Sequence, residues 1–552
     1  MQMPLPNFPI RHSFIAIRSR AISGRLRLQP INTDINNMKR ILIGFLSAVS
    51  LFIGSVTAAD NQQNATLVEH SPRASQTIDT EGSVTVNQVK INYQAQTGVL
   101  ELNNEDPEDP VIGMFYVAYF KKQENKPANR PITFIYNGGP GSASLWLHMG
   151  ALGPKRVIAT QPGKTQLAPY SLTNNQYSLL NVSDLVFIDA PGTGYSRFLS
   201  TATSQQERAQ QKSQSANNVY GVNGDAQAFS QFIVQFLTDY QRWNSPKYLL
   251  GESYGTTRTV VLAEELKNLN IDLNGIILIS QILNHDNNVD DPDLNPGVDQ
   301  PYYLALPTYA ASAWYHHTLP NKDQDLRTLL AEAERFALGP YALALQQGNN
   351  LPENDRQTTA DQLYQFTGIS ADYWLKADLR LKGPVFSKKL LSSLNETIGR
   401  MDTRYHGSSL DNLGASASYD PNVSVLTSAY VAQFHDYLVK TLKYRSGQNY
   451  LAFSDAIHTW DMSGNSKERS FNVLPNLAGV MKTNPSMRIM VMGGIYDMAT
   501  PYFAAKYEMS HLPVSAKLHN NMVFYWYDSG HMPYVDELSL KMMHADLSAF
   551  IF

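Results

Sequence analysis

Apolar and polar residues change rhythm several times along this 552-residue chain. Between residues 83 and 93 they alternate, with Val84, Val86, Val89 and Ile91 set among polar neighbours, the period-two mark of a half-buried strand. Shorter runs follow at 99–102 and 114–120. The three read as antiparallel strands, with the acidic, proline-bearing stretch 103–110 as a turn. Beyond them, short runs that read as buried, at 132–136, 185–189, 248–251 and 276–279, alternate with stretches of helical spacing, among them Phe229, Phe232, Ile233, Phe236 and Tyr240. Such runs suit strands buried on both faces. Their alternation with helices predicts a mostly parallel sheet covered on both sides, with ligands bound outside the carboxyl ends of its strands.

From residue 281 to about 485 the pattern turns to aromatic-rich helical segments, including 302–314, 326–345 and 425–442, separated by polar loops. This stretch reads as a largely helical cap inserted between two sheet strands, over the active face. Sheet character returns at 488–492 and 522–527, and a helix at 538–550 closes the chain. The predicted fold is α/β, with core residues 81–280 and 486–552 split by the cap at 281–485.

Composition narrows the possibilities. A net charge of -4 provides no basic surface for nucleic acid. The absence of cysteine excludes disulfides and thiolate nucleophiles. Met38-Lys39-Arg40 precedes an uncharged run over 41–59 that ends in small residues, the three parts of a secretory signal peptide. A membrane anchor is the alternative reading, but glycines and serines dilute the run and favour cleavage, with no stable span afterwards. Export to the periplasm or beyond is therefore expected. Residues 1–37 are basic and lack an apolar core, so Met38 reads as the start and 1–37 as a non-native extension. A transit peptide is the lesser alternative. Residues 60–80 are polar and aperiodic, and read as a disordered linker.

The candidate chemistry gathers where strands end. The run 248–251 stops at Gly251-Glu252-Ser253-Tyr254-Gly255, and Leu262, Leu266 and Leu269 then recur at helical spacing. A strand, a sharp Gly-x-Ser-x-Gly turn and a helix lift the serine above the sheet edge, making Ser253 the candidate nucleophile. A base is needed, and on such sheets the acid and then the histidine follow the serine in the chain. Of the ten histidines after Ser253, His531 lies just past a predicted strand end on a glycine-containing turn. Asp497 ends the preceding strand, whereas Asp528 sits too close to His531 along the chain and reads as a turn former. An oxyanion hole requires the Tyr254 N–H and a glycine-rich loop after an early strand, which Asn137-Gly138-Gly139-Pro140-Gly141 supplies. No Gly-Lys-Ser/Thr or dinucleotide pattern accompanies that loop, so nucleotide binding is rejected.

Together with Asp189-Ala190-Pro191-Gly192-Thr193-Gly194-Tyr195-Ser196 and Gly530-His531-Met532, these blocks resemble the serine carboxypeptidase family over about residues 132–535. The resemblance implies an α/β-hydrolase fold and removal of single residues from the free C-terminus of peptides, with no metal or cofactor. It also implies that Asn137, Gly138 and Glu252 bind the terminal carboxylate, that the N–H groups of Gly139 and Tyr254 form the oxyanion hole, and that Met532 lines the leaving-residue pocket. The chain departs from the pattern in two places. Ala151 stands where a second glutamate is common before Leu152-Gly153-Pro154, and Ile135 replaces a familiar tryptophan. One triad serves all acyl transfers, so an esterase or acyltransferase is the rival reading, and an inactive binding protein on the same fold a further one.

Overall fold

Asn87 and Gln88 decide how the first strands are laid out. Both lie at positive φ, 48° and 66°, so the chain reverses within two residues and Val86 pairs with Val89. The alternation at 83–93, read above as one strand, is thus two arms of a hairpin, β1 (Ile78–Val86) and β2 (Val89–Asn103). Asn-Gln is a weak turn signal beside Asn-Gly, which is why composition hid the reversal. A shift of the apolar positions from even to odd numbers between Val86 and Val89 is its trace in the sequence. β1 also begins at Ile78, inside the stretch assigned to a linker, and β2 runs unbroken through the separate run at 99–102 to pair with β3 (Pro110–Lys121).

The computed structural model describes residues 77–103, 110–122, 129–462 and 471–551. The expected extension, the signal peptide, most of the linker and most of the acidic turn at 103–110 lie outside these residues. No helix among them is long and apolar enough to cross a membrane.

Six parallel strands follow: β4 (Ile132–Tyr136), β5 (Asp184–Ile188), β6 (Lys247–Glu252), β7 (Gly275–Ile279), β8 (Arg488–Gly494) and β9 (Met522–Tyr527). Their order is β1-β2-β3-β5-β4-β6-β7-β8-β9, with the short strand Arg197–Phe198 against β3. Every residue of β4, β5, β6 and β7 is buried, as suits their largely apolar make-up. Successive side chains serve opposite cores. Ile135, Phe187, Leu250 and Ile277 pack with the helices Pro421–Lys440 and Glu537–Ile551. Phe134, Val186, Leu249 and Ile276 pack with Val222–Asp239, Tyr254–Asn268 and Leu474–Thr483.

A third core belongs to the insert. It joins the helices Gln300–Tyr315, Leu326–Phe336 and Glu353–Thr367, with Tyr309 stacked on Phe386 at 4.0 Å between ring centroids. Its buried residues within the insert run from Val289 to Ile398. The helices Pro421–Lys440 and Leu474–Thr483, expected within the cap, instead bury their apolar faces against the sheet. Helical periodicity reports that a face is apolar but not which surface covers it.

Candidate active site

Ser253 occupies the turn between β6 and the helix Tyr254–Asn268, at φ 60° and ψ -131°. A non-glycine residue rarely holds such a conformation, which costs on the order of 1–3 kcal/mol and persists only where its surroundings impose it. Here its N–H is held by the Ile279 carbonyl at 2.9 Å, and its own carbonyl accepts from the Thr256 N–H at 2.8 Å. Close approach imposes the rest: a Cβ on Gly251 would lie 2.2 Å from the Gly255 carbonyl oxygen. Among the described residues, the Ser253 hydroxyl has no hydrogen-bond partner. It faces a cavity of about 330 Å³ that His531 also lines.

His531 and Asp497 are brought together from loops that follow β9 and β8. His531 Nδ1 lies 2.9 Å from Asp497 Oδ2, and both side chains are almost wholly buried. Thr500, which sequence reasoning missed, completes the arrangement. Its N–H and hydroxyl donate to the two Asp497 oxygens at 3.0 and 2.6 Å, and its hydroxyl oxygen also lies 3.2 Å from His531 Nδ1. The available sign was its position three residues after Asp497, where a carboxylate caps a turn. The His531 backbone is pinned by its N–H to the Met401 carbonyl and by Ser280 Oγ to its own carbonyl, both at 2.6 Å. Burial pushes the imidazole pKa down, but the charge of Asp497, its hydrogen bond and Glu252 outweigh this and raise it above the ordinary value. Asp528 lies elsewhere, paired with Arg327 on the surface.

The loop after β4 closes the other side of the cavity, with Asn137, Gly138 and Gly139 in its lining. A Cβ on Gly138 would lie 2.5 Å from both the Tyr254 and Gly255 nitrogens. Only glycine permits the loop to lie against the amides that begin the helix. Those amides lack intrahelical partners and carry the positive end of the helix dipole. Asn137 is fixed twice, by the Leu147 N–H on its Oδ1 at 3.1 Å and by Arg258 Nη1 on its carbonyl at 2.7 Å. Arg258 is itself fully buried, ion-paired with Asp225 at 2.6 Å and placed against the rings of Tyr136, Phe229 and Tyr254.

Glu252 is buried beside Asn137 and Tyr534, and its Oε2 has no hydrogen-bond partner among the described residues. Burial raises its pKa to about 7, with His531 and its polar neighbours offsetting only part of that cost. Met532 lines the same cavity. Every residue given a catalytic or substrate-binding role in the sequence analysis therefore borders this cavity or, like Asp497, supports a group that does. Much of the remaining wall comes from the segment between β7 and β8, including Arg400, Met401, Leu426 and Phe453.

Comparison with known proteins adds to this geometry. A family model described as serine carboxypeptidase matches residues 86–543. Serine carboxypeptidase-like 5 of Arabidopsis thaliana is 26% identical over 202 residues, 35% of this chain and 41% of the relative. Carboxypeptidase Y of Komagataella phaffii is 27% identical over 197 residues, 34% of this chain and 31% of the relative. The chain thus spans less than half the length of these curated relatives. Among solved structures, Kex1ΔP, a prohormone-processing carboxypeptidase from Saccharomyces cerevisiae, superposes with a TM-score of 0.50 at 14% identity, covering 83% of this chain and 91% of that one. That likeness, with the parallel sheet, shows the α/β-hydrolase fold.

Proposed function

The chain belongs to the serine carboxypeptidase family, and on that premise we propose that it is an exported serine carboxypeptidase that cleaves the last peptide bond of substrates with a free C-terminus. The observation that carries the reading is a free serine hydroxyl, a carboxylate-bound imidazole and a buried Asn137–Glu252 pair on one cavity. Export rests on the signal-like segment 38–59.

In this mechanism Asp497 accepts the Nδ1–H of His531, so that Nε2 is the bare, basic nitrogen. Ser253 Oγ attacks the carbonyl carbon as its proton passes to Nε2. The N–H groups of Gly139 and Tyr254 receive the oxyanion. Collapse of the tetrahedral intermediate breaks the C–N bond, His531 protonates the departing amine, and water releases the acyl group by the same route. Asn137, Gly138 and Glu252 hold the terminal carboxylate. A protonated Glu252 can share its proton with that carboxylate, where an ionised one would repel it.

Ser253→Ala should lower turnover of a blocked dipeptide by roughly 10⁶-fold, the scale seen when a triad nucleophile is removed. Retained activity in the pure variant would overturn the assignment. The esterase rival is separated by comparing the free acid with its C-terminal amide and with a simple ester. Equal cleavage of acid and amide would remove Asn137 and Glu252 as carboxylate readers.

A further inference from the structure

Arg400 carries the one permanent positive charge among the described residues lining the cavity, and no step above uses it. It pairs with Asp290, which is 110 residues away in sequence and lines the same cavity. Nε donates to Asp290 Oδ1 and Oδ2 at 3.1 and 2.9 Å, and Nη2 donates to Oδ2 at 2.5 Å. One edge of the guanidinium is therefore spent. The other edge, Nη1 with the second hydrogen of Nη2, has no hydrogen-bond partner among the described residues. The Arg400 side chain is 39% exposed, against 19% for Asp290.

The acceptors nearby are in the opposite condition. Both Asp290 oxygens are engaged by Arg400. Asp420 Oδ2 accepts the Arg400 and Met401 N–H groups, while its Oδ1 accepts that of Asn422. Asp497 is held by Thr500 and His531. A basic side chain entering beside Arg400 would find these three carboxylates already hydrogen-bonded, whereas a carboxylate would find two parallel donors in the fork geometry that suits it.

The geometry points to Arg400 as a specificity-determining residue that binds an acidic side chain on one of the two residues flanking the scissile bond, with Asp290 holding its orientation. The inference rests on the peptidase reading above. It is tested with blocked dipeptides bearing a free C-terminus, in which each position in turn carries Glu, Gln, Lys or Leu.

At one position, kcat/KM for Glu should exceed that for isosteric Gln by about tenfold or more, the scale of a charge-assisted hydrogen bond. Added salt should shrink that ratio, because the guanidinium is reached by solvent. In an Arg400→Gln/Asp290→Asn variant, which removes both members of the ion pair together, the Glu-to-Gln ratio should fall to about one. The ratio is taken within each protein, so a general change in rate does not enter it. Should the variant fail to fold, the wild-type ratio and its salt dependence decide alone. Equal cleavage of Glu and Gln at both positions, preference for Lys over Gln, or a ratio surviving in the variant would overturn the inference. Cleavage of the leucine peptide without preference for Glu refutes this inference and leaves the peptidase reading standing. No cleavage of any peptide ends both.

Discussion

Glu252 shows how one side chain couples burial to pH. Its carboxyl is pushed up to about 7, so it is protonated below that pH and ionised above it. His531 has the opposite requirement, since its raised pKa must be passed from below before the imidazole is neutral and can accept a proton. Turnover should therefore fall as pH drops through the His531 value. KM for free-acid substrates should climb as pH rises through about 7. In Glu252→Gln the climb should flatten, while a C-terminally amidated substrate should show none even in the wild type. KM measured from mildly acidic to mildly alkaline buffer checks this, and a climb that survives the substitution would assign it to another group. The two groups interact, so the observed values belong to the pair. At this scale Ser253, His531 and Asp497 were legible because each follows the end of an apolar run. Thr500, Arg258 and Asp225 were not, because a buried threonine or ion pair has no local pattern of its own.

Among the elements, the turn after β6 and the loop after β4 depend on each other's shape. A methyl group on Gly138 would meet the backbone nitrogens of Tyr254 and Gly255 at 2.5 Å and the Glu252 carbonyl at 2.6 Å. None of these atoms can rotate aside, so the loop must part from the helix. Gly138→Ala should then lower kcat by about 10²–10³-fold, the effect of losing an oxyanion donor. The overpacking should also cost about 1–3 kcal/mol of stability. Steady-state kinetics and denaturant unfolding read the two effects separately. A kcat close to wild type would show that the loop after β4 does not serve the oxyanion. Strand existence was readable because burial on both faces leaves a continuous apolar run, as in β7. The Asn87–Gln88 reversal was not, because its residues are poor advertisements for the positive φ they adopt.

For the whole molecule, the insert's core extends to Ile495, Tyr496 and Met498, which bracket Asp497. Packing far from the cavity thereby supports the acid and the wall beside it. Phe386, stacked face to face on Tyr309, is fully buried in that core. Phe386→Ala should cost about 3–5 kcal/mol and raise KM as the wall loosens. Thermal unfolding and KM check this, and an unchanged KM in a destabilised variant would show that the cavity wall stands without the insert's core. Local periodicity and strand-end chemistry determined, from sequence alone, the α/β class, the parallel strands and the residues proposed for the triad, because those signals are carried by neighbours in the chain. Only the tertiary structure decided that the helix Pro421–Lys440 joins the sheet's core, that Thr500 braces Asp497 and His531, and that Arg400 lines the cavity paired with Asp290. Those outcomes depend on which distant surface meets which, and on which hydrogen-bonding atoms are left over once folding has paired the rest.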